Sequence, residues 1–344
     1  MGRRVVPVVV VVVSTLLAAC GGSPRANGRS TVPTNPTATA ASAPTTTTTD
    51  AAARVAATVG RTFAVGETTT EYVDSTRPTS ASGSWPGAPS RTFPVTIWYP
   101  VNADGSPDRA DGPFPLVLFS HGYAVTPATY RELLTRWAAA GYVVAAPTYP
   151  LLSGEPAGPD HVDYARSFAD ARFVLTRLLA DAAVAPGAAG VAGAPVFAGL
   201  VDPDRVAAAG HSDGEAVAYG IGFLRCCRDP RVRAVVAMAG ILGNVNGPVE
   251  RDNGVAVLHL TGTADELQDS VTALAWDREN LGDPHWTIGL VGATHLPPFR
   301  DPASPWFAGV ADLTIAFLDG TLKGWPDRLE VVAAPPTGRF VRDS

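Results

Sequence analysis

VAAAGHSDGEAVAYG, residues 206–220, decides how this chain is read. Four small apolar residues run into Gly210-His211-Ser212-Asp213-Gly214, and a stretch of small residues follows. A buried strand that turns sharply into a helix around an exposed serine has this pattern. The serine of such a turn sits in strained backbone. Side chains at the flanking positions would collide with neighbouring main chain, so glycine is required there. The five-residue pattern alone arises easily by chance in a glycine-rich chain. The strand before it and the helix after it make Ser212 a candidate nucleophile and not a mere turn serine.

The flanking segments repeat the strand–helix alternation. Upstream, residues 114–120 are a continuous apolar run ending at His121-Gly122-Tyr123. Residues 130–140 carry Leu133, Leu134 and Trp137 at helical spacing, and 142–147 read as a second buried strand. A loop over 151–162 leads to a helix over 164–183, with Phe168, Ala171, Val174, Leu175 and Leu178 on one side. Downstream, 232–238, 255–260 and 286–291 read as strands, and 268–281 and 307–318 as helices. Residues 68–74 and 91–100 are β-branched and aromatic and read as early strands. Continuous apolar strands alternating with helices predict an α/β fold, a mostly parallel central sheet with helices on both faces. In such sheets reactive groups collect beyond the strand C-termini. His121, Ser212, Asp265 and His295 all fall at such ends.

A serine hydroxyl needs a base to take its proton. In this architecture the base follows the nucleophile, which leaves His259, His285 and His295 of the six histidines. His259 lies inside a strand and His285 begins one. His295, in Gly292-Ala293-Thr294-His295, follows a strand end in a loop that can bring the ring to Ser212. The imidazole needs a carboxylate to hold its tautomer. Asp265, closing Thr261-Gly262-Thr263-Ala264-Asp265, completes the order Ser, Asp, His, with Glu266 and Asp269 as alternatives. A tetrahedral oxyanion needs donors. The backbone N–H groups of Asp213 and Tyr123 are the candidates. Asp213 and Glu215 put two acids in the first helical turn, where the helix dipole favours them. A carboxylate facing an oxyanion would repel it, so Asp213 is expected to point away. Trp137 reads as helix packing.

The run from Phe114 to Pro147, the lead-in Asp202-Pro203-Asp204-Arg205 to Gly-His-Ser-x-Gly, the strand ending Gly-Thr-x-Asp and the Gly-Ala-Thr-His loop together resemble the α/β-hydrolases. Within them the chain looks like the dienelactone-hydrolase-like branch, related to platelet-activating-factor acetylhydrolases, chlorophyllases and cutinase-type polyester hydrolases. The resemblance spans about residues 66–320. It implies hydrolysis of carboxylic esters through an acyl-enzyme, without a cofactor. Two departures stand out. Asp213 and Glu215 occupy positions that are small or apolar in many relatives, and serine stands where dienelactone hydrolase proper has cysteine. Thioester or peptide hydrolysis on the same fold, or a non-catalytic binding lipoprotein, are the other readings.

The rest of the chain bounds these readings. Its 344 residues are 46% hydrophobic, enough for one large core. The net charge of -6, with no basic stripe, excludes a nucleic-acid surface of the usual kind. No zinc, P-loop or dinucleotide motif is present, so neither metal nor cofactor is expected. Arg3 and Arg4 precede a short apolar run over 5–17, ending in Leu17-Ala18-Ala19-Cys20. This resembles the lipobox of bacterial lipoproteins and implies lipidation at Cys20 and an extracytoplasmic, membrane-anchored protein, with secretion as the alternative. The expected organisation is a signal peptide over 1–20, a disordered Thr/Ser/Pro-rich tether over 21–57, the hydrolase domain over 58–325 and a tail over 326–344. Cys226 and Cys227 are adjacent, and read either as a vicinal disulfide or as two reduced thiols.

Overall fold

Strand β1 (Ala64–Asp74) pairs antiparallel with β2 (Arg91–Val101), from Ala64 opposite Val101 to Asp74 opposite Arg91. The chain then alternates as the apolar pattern requires. It runs through β3 (Phe114–Ser120), helix α1 (Arg131–Ala139), β4 (Val143–Pro147), α2 (Ser167–Ala182), β5 (Val201–His211) and α3 (Asp213–Phe223). It continues through β6 (Val232–Met238), β7 (Ala256–Gly262), α4 (Ser270–Asn280), β8 (His285–Leu290), α5 (Pro297–Arg300), α6 (Phe307–Leu322), α7 (Leu329–Ala333) and β9 (Phe340–Asp343). The computed structural model describes residues 53–154, 158–185, 195–240 and 247–343. These belong to one compact unit, Thr46–Ser344. The expected signal peptide, Cys20 and most of the expected tether lie outside the described residues.

The sheet order is β1-β2-β4-β3-β5-β6-β7-β8-β9. Strands β4 through β8 in that order are mutually parallel, and β1, β2 and β9 join antiparallel at the edges. Strand β5, which carries the opening motif, is central. Its residues alternate between two cores. Val206 and Ala208 pack on one face with Leu175 and Leu178 of α2 and Val217 of α3. Ala207 and Ala209 pack on the other with Trp137 of α1 and Val310 and Phe317 of α6. Burial on both faces explains why these strands are uniformly apolar and not alternating.

Several boundaries differ from the sequence reading, β1 beginning at Ala64 and not at residue 68. Strand β5 begins at Val201, because Phe114 pairs with Val201 before the register shifts between Pro115 and Leu116. Residues 326–343, expected as a tail beyond the domain, instead contain α7 and β9, and β9 pairs with β8 through Leu290 opposite Phe340. The anchors are apolar: Val332 and Phe340 are buried. Phe340 presses on Gly309 of α6 so closely that an added Cβ would lie 2.3 Å from the ring. Cys226 and Cys227 form a vicinal disulfide just after α3.

Candidate active site

Ser212 sits between β5 and α3 at φ 56°, ψ −125°, a left-handed conformation that side chains rarely adopt. Its neighbours allow this only as glycines. A Cβ on Gly210 would lie 1.9 Å from the Gly214 carbonyl oxygen, and one on Gly214 would lie 2.0 Å from that of Ser120. The Ser212 N–H donates to the carbonyl of Met238 at the end of β6 (2.9 Å), which fixes the turn to the sheet.

The structure brings Ser212, His295 and Asp265 together. Ser212 Oγ lies 3.0 Å from His295 Nε2, and His295 Nδ1 lies 2.8 Å from Asp265 Oδ2. A carboxylate only accepts, so Nδ1–H donates to Asp265 and Nε2 is free to accept from the serine hydroxyl. Asp265 Oδ1 also accepts from the N–H groups of Leu267 (2.9 Å) and Gln268 (3.0 Å). Burial pushes the Asp265 pKa up. The hydrogen bonds from His295, Leu267 and Gln268, with the charge of His295, outweigh it and hold the carboxyl below its ordinary value.

The alternatives do other work. Glu266 Oε2 accepts from the His295 N–H at 3.3 Å, and Asp269 caps α4 through the Val271 N–H. His285 pairs with exposed Asp283 at 3.3 Å. Trp137 is in the core, its Nε1 donating to Thr314 Oγ1 at 2.8 Å.

The segment after β3 packs directly on the serine: a Cβ on Gly122 would lie 3.2 Å from Ser212 Cβ. His121 holds this segment from behind. Burial lowers its pKa to about 4, so the ring is neutral. Its Nε2 accepts from the Tyr149 N–H (3.0 Å) and its Nδ1–H donates to the Gly122 carbonyl (2.8 Å). Tyr123 follows, with its phenol donating to the Pro159 carbonyl. Asp213 opens α3, so its N–H has no partner within the helix. Its carboxylate is 7% exposed and faces His161, with Oδ2 3.2 Å from His161 Nε2. Burial raises the Asp213 pKa, opposed by His161 and by His295.

Two residues of the site escaped the sequence reading. His211 is fully buried; burial, and then the charge of the His295 ring, lower its pKa to about 3. Its Nε2–H donates to the His295 carbonyl at 3.0 Å and its Nδ1 accepts from Tyr130 Oη at 2.9 Å, which ties the His295 loop to the strand end. Its position inside Gly-His-Ser was the available signal. Glu215, read as a dipole partner, is instead fully buried. Its Oε2 accepts from the Gly240 N–H, and its Oε1 lies 3.5 Å from His259 Nε2. Nothing local in the sequence marks that partner.

A cavity of about 360 Å³ opens beyond the end of β4, lined by Trp85, Thr92, Pro94, Thr148, Tyr149 and Pro150 among others. Neither Ser212 nor His295 lines it. Among the described residues no group of three or more His, Cys, Asp or Glu is placed to hold a metal ion, and no helix is long and apolar enough to cross a membrane.

A model of the chlorophyllase family matches residues 105–249, a span that includes Tyr123 and Ser212 but stops before Asp265 and His295. Among solved structures, the chain resembles a ferulic acid esterase from Streptomyces cinnamoneus with a TM-score of 0.59 and 20% sequence identity. That match covers 83% of this chain and 98% of the other. The likeness is one of fold, the α/β-hydrolase fold. No curated protein matches the chain in sequence.

Proposed function

We propose that this protein, an esterase-type hydrolase of the α/β-hydrolase fold, cleaves carboxylic esters through an acyl-enzyme on Ser212. One observation carries the reading: an unbroken hydrogen-bond chain runs Ser212 Oγ, His295 Nε2, His295 Nδ1, Asp265 Oδ2, and begins on a serine held at φ 56°. The chlorophyllase match and the esterase neighbour support it. In this reading His295 Nε2 takes the serine proton as Oγ attacks the ester carbonyl. Asp265 holds the ring and stabilises the imidazolium. The N–H groups of Tyr123 and Asp213 receive the oxyanion, each donor being worth roughly 3 kcal/mol in the transition state. Collapse of the tetrahedral species transfers the proton from His295 Nε2 to the departing alkoxide, giving the free alcohol. Water, deprotonated by the same ring, then releases the acid and regenerates Ser212.

The test is hydrolysis of a chain-length series of p-nitrophenyl esters and of methyl ferulate by the full-length protein and its Ser212→Ala variant. A loss of roughly 10⁴-fold or more in kcat in a folded variant is expected. Hydrolysis that survives the substitution, or none in the wild type, sinks the reading.

The same reading takes Cys20 as a lipidated N-terminus outside the cytoplasm. The sequence Leu17-Ala18-Ala19-Cys20 supports it, and a Cys226–Cys227 disulfide suits an oxidising compartment. Cys20→Ala is expected to move the protein from the membrane to the soluble fraction. A wild-type protein that fractionates as soluble from the outset contradicts the anchor.

A further inference from the structure

The Asp213 carboxylate poses an electrostatic problem. It belongs to the residue whose N–H is one of the two proposed oxyanion donors, it is almost fully buried, and it lies close enough to His295 to interact with its charge. Among the described residues its Oδ2 accepts no hydrogen bond. A fixed negative charge at this place opposes the negative charge that acyl transfer builds beside it.

One side chain addresses this. His161 Nε2 lies 3.2 Å from Asp213 Oδ2, and the His161 ring packs edge-on against Tyr123 with centroids 3.8 Å apart at 67°. A single imidazole therefore touches both residues that supply the proposed oxyanion donors. Its place is set from below. The turn His161–Arg166 carries Asp163, which is bonded to buried Arg91 at 3.0 and 2.6 Å. Arg91 also bonds Asp170 on α2. The Tyr123 phenol reaches the same segment at Pro159. The ring itself is largely solvent-exposed, with 62% of its side-chain surface accessible. An exposed ring on a turn anchored by a buried arginine is cheap to replace without unfolding the protein.

We infer that His161 is a positioning residue for ester hydrolysis, acting through Asp213: it cancels the carboxylate charge next to the oxyanion. The inference rests on the proposed role of the Asp213 N–H. It gives an acidic residue directly after the nucleophile a partner beyond the helix dipole that already favours an acid in the first turn.

A double-mutant cycle on p-nitrophenyl acetate tests it, with His161→Gln, Asp213→Asn and the pair combined, each checked for wild-type thermal unfolding. His161→Gln is expected to lower kcat roughly tenfold or more while KM stays within about twofold. Adding Asp213→Asn is expected to restore most of that loss, because the charge that needed cancelling is gone. An unchanged kcat in His161→Gln overturns the inference. So does a loss that persists in the double variant, since the ring then acts by packing on Tyr123. Ser212-dependent hydrolysis without this coupling removes the inference and leaves the esterase reading standing. No hydrolysis by the wild type removes both.

Discussion

His295 and His259 present the same chemistry in two settings. Each directs Nδ1 at an aspartate, at 2.8 Å to Asp265 and 2.5 Å to Asp277. They differ in what Nε2 meets. For His295 it is the hydroxyl of Ser212 at 3.0 Å, in a loop beyond β8; for His259, inside β7, it is the carboxylate of Glu215 at 3.5 Å. Both partners come from one short stretch, since Glu215 lies three residues after Ser212 in the first turn of α3. The first arrangement leaves a nucleophile for the ring to activate. The second sandwiches the ring between two acids in the core, where Nε2 meets no hydroxyl to activate.

The buried cluster serves the site indirectly. Burial lowers the His259 pKa, but the charges of Asp277 and Glu215 and the hydrogen bond to Asp277 outweigh it and raise it to about 9. Burial raises Glu215 to about 7. Tyr219 and Thr287 also donate to Asp277, at 3.2 and 3.1 Å. Such clusters add little net stability, yet breaking one leaves an uncompensated buried charge. Glu215 binds the Gly240 N–H just after β6, the strand whose Met238 carbonyl takes the Ser212 N–H. The core cluster thus braces the turn on which Ser212 stands.

The largest expected effect separates the two aspartates. Asp265→Asn should keep the fold and cost roughly 10⁴-fold in kcat, because the amide favours the wrong tautomer of His295. Asp277→Asn should do the reverse: a loss of roughly 3–5 kcal/mol in unfolding free energy, with kcat of the remaining folded protein within a few-fold of wild type. Urea unfolding and active-site titration with a fluorophosphonate measure both quantities. A similar kcat loss in the two variants breaks the distinction.

A smaller effect sharpens it. Both buried groups have raised folded-state pKa values, so both bind protons more tightly in the native protein. The contribution of Glu215 is complete below its ordinary 4.5 and fades as pH rises through about 7. That of His259 is complete below its ordinary 6.5 and fades as pH rises through about 9. Stability from this cluster should fall steadily from pH 5 to 9. Glu215→Gln keeps an acceptor for the Gly240 N–H and should flatten the decline between pH 5 and 7, read as the difference between the two proteins in urea unfolding. An unchanged slope shows that Glu215 does not titrate there.

Much of the fold was legible because its causes are local or periodic. Strands buried on both faces must be apolar throughout, as in Phe114–Ser120 and the end of β5. Strand β9 was not legible. Four residues, Phe340–Asp343, carry no pattern long enough to mark a strand, and only the hole at Gly309 and the open edge of β8 give Phe340 a place. The order Ser212, Asp265, His295 was readable as an arrangement in which strand ends converge. Its neighbours were not. Glu215 and Asp213 look alike in sequence, both acids in one helical turn, yet one faces His259 in the core and the other His161 at the rim.

What the chain alone determined is whatever short-range sterics and apolar periodicity impose: the glycines that admit Ser212, the strand–helix alternation, and the strand ends that must gather on one side. What the tertiary structure alone decided is which carboxylate meets which imidazole. Ser212 and His295 stand 83 residues apart, and a contact of that range depends on the packing of every strand between them. Side-chain direction around a helix is set by the surfaces it packs against, so two acids two residues apart part company only when the sheet and the turn at His161 close around them.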